Sequence, residues 1–229
     1  MAVCRGLQDQ ENSGLLPFPG GSKIMSPFDF VFALFSLILG LAIAEALAGF
    51  AKVMKLHARA RAGLGKDVRV GWLVPLLAAL VILNQLQFWM TAYAVRDTLP
   101  LTYLTLLCVT LVVGAYYLFS ALVFPEEPAD WPDFDAYYDV HNRFILTGML
   151  VINLAVAIIA GRYRPPMTAA QRAIGEGPVG LLVLAGVAMT MVLTFALIFV
   201  KRRWLNILLL ALMIAMILAA AVLVAVTGL

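Results

Sequence analysis

Few side chains in this chain can move a proton, hold a cation or bind a polar ligand, and most of those lie inside apolar runs. Glu45 stands in "LILGLAIAEALAGFAKVM", residues 37–54, a stretch suited to lipid until Lys52. A carboxylate at membrane depth is costly, and such groups usually mark an ion path or a paired site. Ser36, Gly40, Ala44 and Ala48 recur every fourth residue, with Glu45 at the edge of the stripe they form. Small-residue stripes let helix backbones approach closely in lipid, so Glu45 is expected to face protein. A plainer reading stands beside this one. Glu45 is seven residues from Lys52, about 10 Å along a helix, and can snorkel to water or stay protonated and bond a neighbour.

The stretch "ILNQLQFWMTAY" places Asn84, Gln87 and Thr91 at i, i+3 and i+7, on one helix face, with Gln85 pointing elsewhere beside Trp89. Lipid offers amides no partner, so this face must line a polar cavity or bind another helix. Tyr116, Tyr117 and Ser120, then Asn153, then Thr190 and Thr194, are the remaining polar groups at depth. Glu45, Tyr116 or Tyr117, Asn153 and Thr194 fall at similar depth and could form one polar layer. The alternative is ordinary interhelical hydrogen bonding, worth about 0.6 kcal/mol per contact.

The segment "FPEEPADWPDFDAYYDVHNR" carries six acids in fourteen residues, from Glu126 to Asp139. From Pro132 it reads as an amphipathic helix. Phe134, Tyr137, Tyr138 and His141 share one face, and Asp135, Asp139 and Asn142 the other. Asp139 is spaced to pair with Arg143. The expected arrangement is aromatics against headgroups and acids in water. Asp133, Asp135, Asp139 and His141 are also the candidate set for a hard cation or for lipid-directed chemistry. The ligand spacing of a defined metal site is missing, so no metal is expected.

Enzyme classes fall away quickly. The two histidines, His57 and His141, lie outside the apolar runs, which removes paired axial ligands for an intramembrane haem. Phosphate-binding glycine loops, zincin helices and nucleophile elbows are absent. Ser36 and Ser120 have no intramembrane His or Lys to activate them. No catalytic residue and no cofactor is therefore assigned. Two cysteines, Cys4 and Cys108, cannot build a disulfide framework.

The elements that position these groups follow from composition. Hydrophobic residues make up 63% of the chain, charged residues 13%, and mean hydropathy is +0.97. Soluble domains have about 45–50% apolar and about 25% charged residues, so the expected class is an all-α polytopic membrane protein. Six segments reach the roughly 20 apolar residues a spanning helix needs: 28–51, 71–94, 101–124, 143–161, 178–200 and 204–227. A short interfacial helix is expected before the fourth. Residues 25–229 read as one membrane domain. Residues 1–24 read as a disordered tail without a signal peptide, and Met25 is a possible start.

Lys52, Lys55, Arg59, Arg61, Lys66, Arg69, Arg143, Lys201, Arg202 and Arg203 fall on one side of the spans, ten of the sixteen Lys and Arg. The positive-inside rule puts that side in the cytoplasm and both termini outside. The basic stretch after the first span reads as a headgroup-contacting segment, with no case for nucleic acid.

The stretches "SPFDFVFALFSLILGLAIAEALAGFAKVM", "LQFW" and "YYDVHNRF" resemble a group of small, uncharacterised bacterial multi-pass membrane proteins. The resemblance implies a bacterial inner-membrane location and brings no catalytic residues. Three functions are open. The leading one, since ionisable and amide groups at depth usually mark paths, is permeation or transport of a proton, cation or small solute past Glu45 and the Asn84/Gln87 face. The second is an assembly or sensory subunit that binds a partner membrane protein or a second copy of itself. The third, least supported, is a lipid-directed enzyme using the acidic segment.

Overall fold

The computed structural model describes residues 27–63, 71–127, 130–131 and 133–227. Its helices are α1 (Pro27–Arg61), α2 (Leu73–Ala94), α3 (Tyr103–Val123), α4 (Phe134–Arg162), α5 (Ala169–Glu176), α6 (Pro178–Phe199) and α7 (Arg203–Thr227). All of these except α5 are long and apolar enough to cross a membrane, six in number. The expected tail (1–24), the possible start at Met25, Pro132, Lys66 and Arg69 lie outside the described residues.

Two boundaries differ from the sequence reading. Helix α1 has 35 residues, about 52 Å, against a hydrocarbon core of about 30 Å. It carries Lys52, Lys55, Arg59 and Arg61 beyond the apolar part as a continuous helix. It stops just before Gly63, whose φ of 69° is the left-handed geometry that closes helices.

The second difference is at α4. Among the described residues no separate helix precedes it. The aromatic segment is the first two turns of one 29-residue helix, capped by the Asp133 carboxylate, which accepts from the Asp135 N–H at 3.0 Å. Phe134, Tyr137 and Tyr138 are buried in protein, where headgroup contact was expected. The short helix of the fold is instead α5, packed on α6.

Helix α2 is the hub. It touches α1, α3, α4 and α7, while α6 packs on α4 and pairs with α7 at the edge. Lipid is as apolar as leucine, so association in the membrane depends on close fit and on polar contacts. Close fit is visible at two glycines. Gly49 of α1 admits the Phe124 ring, and Gly148 of α4 admits the Phe119 ring, each so closely that a Cβ would overlap it. The buried seam of α1 is Leu39, Ala42, Ala46, Gly49 and Val53, and it is set against α3.

Candidate functional site

Asn84 lies eleven residues into α2, about 16 Å from its start and so near mid-bilayer. There α2 makes polar contacts to three neighbours. Asn153 of α4 donates from Nδ2 to Asn84 Oδ1 at 2.8 Å, while Asn84 Nδ2 donates to Leu80 O at 3.0 Å. Gln85 Nε2 donates to Ser120 Oγ of α3 at 2.7 Å. One turn on, Trp89 Nε1 donates to Ser36 Oγ of α1 at 2.9 Å. Each contact pins a different helix to α2.

The layer differs from the expected one. Gln87 is exposed, so Asn84 and Gln87 do not line a common path. The inward pair is Asn84 and Gln85, both buried. Adjacent residues on a helix point about 100° apart and can both be interior only when the helix is packed on several sides. That is the situation of α2, and its one sequence signal was an apolar pattern with no clear outer face.

Thr194 is buried, but its hydroxyl donates to Thr190 O of its own helix at 2.8 Å. Tyr116 is buried against Phe88 and Phe119. Its hydroxyl and Gln85 Oε1 are buried without a partner among the described residues. Tyr117 is half-buried. No hydrogen bond among the described residues joins Glu45, Tyr117 or Thr194 to the Asn84–Asn153 pair.

Glu45 is half-buried and makes no hydrogen bond or ion pair among the described residues. The stripe beside it turns away from the bundle: Gly40, Ala44 and Ala48 are exposed, and Ser36 alone meets α2. The inward face of α1 is the Leu39–Ala42–Ala46–Gly49 seam, rotated from the stripe.

The acidic segment is structural in its geometry. Arg203, at the start of α7, reaches Asp133 with Nη1 at 2.9 Å and Asp139 with Nη2 at 2.8 Å and Nε at 3.1 Å. The expected Asp139–Arg143 pair is replaced by this one, because the guanidinium fork fits a carboxylate across the helix contact. The Asp135 carboxylate lies against Gly71 at the start of α2, where burial disfavours its charged form and the nearby Leu73 N–H partly offsets that. Trp72, at the N-cap of α2, supplies no side-chain bond. An acid from α4 therefore stands at the exposed donors and positive dipole end of α2. His141 stacks on Tyr137 at 4.2 Å between ring centres, and Tyr137 donates its hydroxyl to Leu122 O at 2.8 Å. Among the described residues no group of three or more His, Cys, Asp or Glu side chains converges as a metal site.

No family model matches the chain, and no curated protein or solved structure matches it. The reading of the site therefore stands on its geometry. The voids in that geometry are apolar. One cavity of about 40 Å³ lies between α1, α2 and α3, and another of about 60 Å³ between α2, α3 and α4. Among the described residues no charged or amide side chain lines either cavity. The amides of the layer bind helices to one another, and the cavities provide no row of polar groups across the bundle.

Proposed function

We propose that this chain is a non-catalytic subunit of a bacterial inner-membrane assembly, and that its α1 receives a membrane-spanning helix of another subunit. The Lys/Arg-rich end faces the cytoplasm and both termini face outward.

One observation carries the reading. Gly40, Ala44 and Ala48 form an exposed small-residue face on α1, and the half-buried Glu45, unpaired among the described residues, stands at its edge. Both features are those of an interhelical contact: small residues permit close approach, and a carboxyl at depth needs a partner. The described residues of this chain supply neither the helix nor the partner. Large apolar side chains are exposed on α1 as well, Leu37, Leu41 and Leu47 among them, and it is the carboxyl of Glu45 that sets this face apart from α6, where Leu181, Leu182, Leu184, Val192 and Phe195 are exposed with no ionisable group.

Crosslinking in native membranes tests this. With Cys4 and Cys108 replaced by Ser and Ala, Ala44→Cys should give one discrete larger product, and Leu184→Cys on α6 none. Gly40→Ile should remove the product while the protein still accumulates.

The transport reading keeps one specific observation, the same carboxyl at membrane depth, unpaired among the described residues. Its signature is proton flux into liposomes holding the purified chain, abolished by Glu45→Gln. Flux of that kind, with no crosslink at Ala44→Cys, reverses the assignment.

A further inference from the structure

The two ends of the bundle are packed differently. At the Lys/Arg-rich end, Arg203 grips α4, Asp135 lies against Gly71 at the start of α2, and Phe124 fills the notch at Gly49. At the opposite end, two apolar cavities lie beside α2 and α3. The cavities there lie back to back and share Phe88, Ala92, Leu99 and Val109. The first is partly open, with Phe28, Phe32, Phe35 and Trp89 among its walls.

Water does not suit this slot. A buried water needs two to four polar partners, and the walls offer few: Thr91 Oγ1 donates to Gln87 O at 2.8 Å. Ser36 Oγ accepts from Trp89, and Thr105 Oγ1 donates to Pro100 O at 2.8 Å. An empty slot forfeits dispersion contacts along its walls. The bilayer supplies hydrocarbon chains at this depth. At the mouth, the aromatic wall continues outward as a ladder. Phe32 and Trp89 both touch Tyr93, with ring centres 5.8 and 6.1 Å apart, and the Arg96 guanidinium lies 4.1 Å over the Tyr93 ring. The guanidinium donates from Nη1 to Tyr93 O at 3.3 Å, and its nearest opposing charge is Asp97 at 3.5 Å, with a side chain 78% exposed. An ion pair so open to solvent is weak and yields readily to a phosphate, which Arg binds through a planar fork.

We propose that this slot marks a binding site for one anionic phospholipid, a few methylenes of one acyl chain entering between α1, α2 and α3 and its phosphate lying on Arg96. The slot uses α1 from Phe28 to Leu39, whereas the subunit contact proposed at α1 uses Gly40 to Ala48, so each has its own test.

Tryptophan placement makes the test direct. Trp89 lines the slot, whereas Trp72, Trp131 and Trp204 sit at the starts of α2, α4 and α7, the other end. The full chain with Trp72, Trp131 and Trp204 replaced by Phe is placed in phosphatidylcholine vesicles containing acyl-brominated phosphatidylglycerol, whose bromines quench tryptophan on contact. Trp89 should be quenched saturably. Half-quenching should come at a mole fraction about fivefold lower than with acyl-brominated phosphatidylcholine, the preference one basic residue gives. Arg96→Gln should erase that preference, and Ala92→Phe, at the wall shared by both cavities, should lower the quenching plateau while helical content is kept. If the triple variant does not fold, the same quantity is read as wild type minus Trp89→Phe. Quenching that rises in proportion to brominated lipid, equally for both headgroups and unchanged by either variant, reports bulk lipid contact and overturns the site.

Discussion

Asn153 Nδ2 and Asn84 Oδ1 meet at 2.8 Å, joining α4 to α2 near the middle of the bilayer from positions 69 residues apart. The pair has a measurable strength. Asn84→Leu and Asn153→Leu should each destabilise the bundle, and the double variant should cost less than the two added together. A double-mutant cycle on unfolding in bicelles should give a coupling of about 0.6–1.7 kcal/mol, the span found for such contacts in membranes. A coupling of zero would mean the amides act separately.

Two glutamines two residues apart should behave differently. Gln85 is buried and bonded to Ser120, whereas Gln87 is exposed. Gln85→Ala removes a hydrogen bond and leaves a cavity, so it should cost about 2 kcal/mol or more. Gln87→Ala should stay within about 0.5 kcal/mol of wild type, as surface changes do. Equal losses in the same unfolding assay would contradict the placement of α2 in the bundle.

Glycines separate folding from assembly. Gly148→Leu drives a side chain into the Phe119 ring and Gly49→Leu into the Phe124 ring. Overpacking of this kind costs about 1–3 kcal/mol or more, and both proteins should be lost to aggregation or degradation. A Cβ at Gly40 would meet nothing within 4 Å, so Gly40→Leu should fold and run as wild type on size exclusion in detergent. Misfolding of Gly40→Leu would place its face inside the chain's own core.

The acids of the α4 start should contribute modestly to stability and be indifferent to calcium. Asp135→Ala removes a carboxylate from the dipole end of α2 but also relieves its burial, so the two offset and the net change should stay within about 1 kcal/mol. Arg203→Ala breaks two partly exposed pairs and should cost little, with an effect that shrinks in high salt. Millimolar calcium should leave the melting temperature unchanged. A calcium-dependent rise that Asp133→Asn or Asp139→Asn abolishes would restore the cation reading of this segment.

Much of the architecture was legible before any contact was known. Six apolar runs of spanning length are a local property, and bilayer thickness alone makes them helices. The excess of Lys and Arg at one end, with Arg96, Arg162, Arg164 and Arg172 elsewhere, follows from the same counting. The ends of elements were harder to read. Lys52, Lys55, Arg59 and Arg61 read as a loop after the first span but continue α1 as helix, because basic residues interrupt a hydropathy pattern without interrupting a helix.

Which side of each helix faces inward is what only the tertiary structure decided. In water an apolar stripe points to the core. In lipid both faces are apolar, so the pattern carries no direction. Asn84 with Gln87 looked like the polar face of α2, and Asn84 with Gln85 is the pair inside. The stripe beside Glu45 has the composition of a helix contact, yet it points out of this chain, because α3 took the neighbouring seam of Ala42, Ala46 and Gly49. Asp135 and Asp139 are four residues apart and read as one acidic face, but they reach α2 and α7 respectively. Residue types set the chemistry each group is capable of. The packing of the neighbouring helices chose the partner.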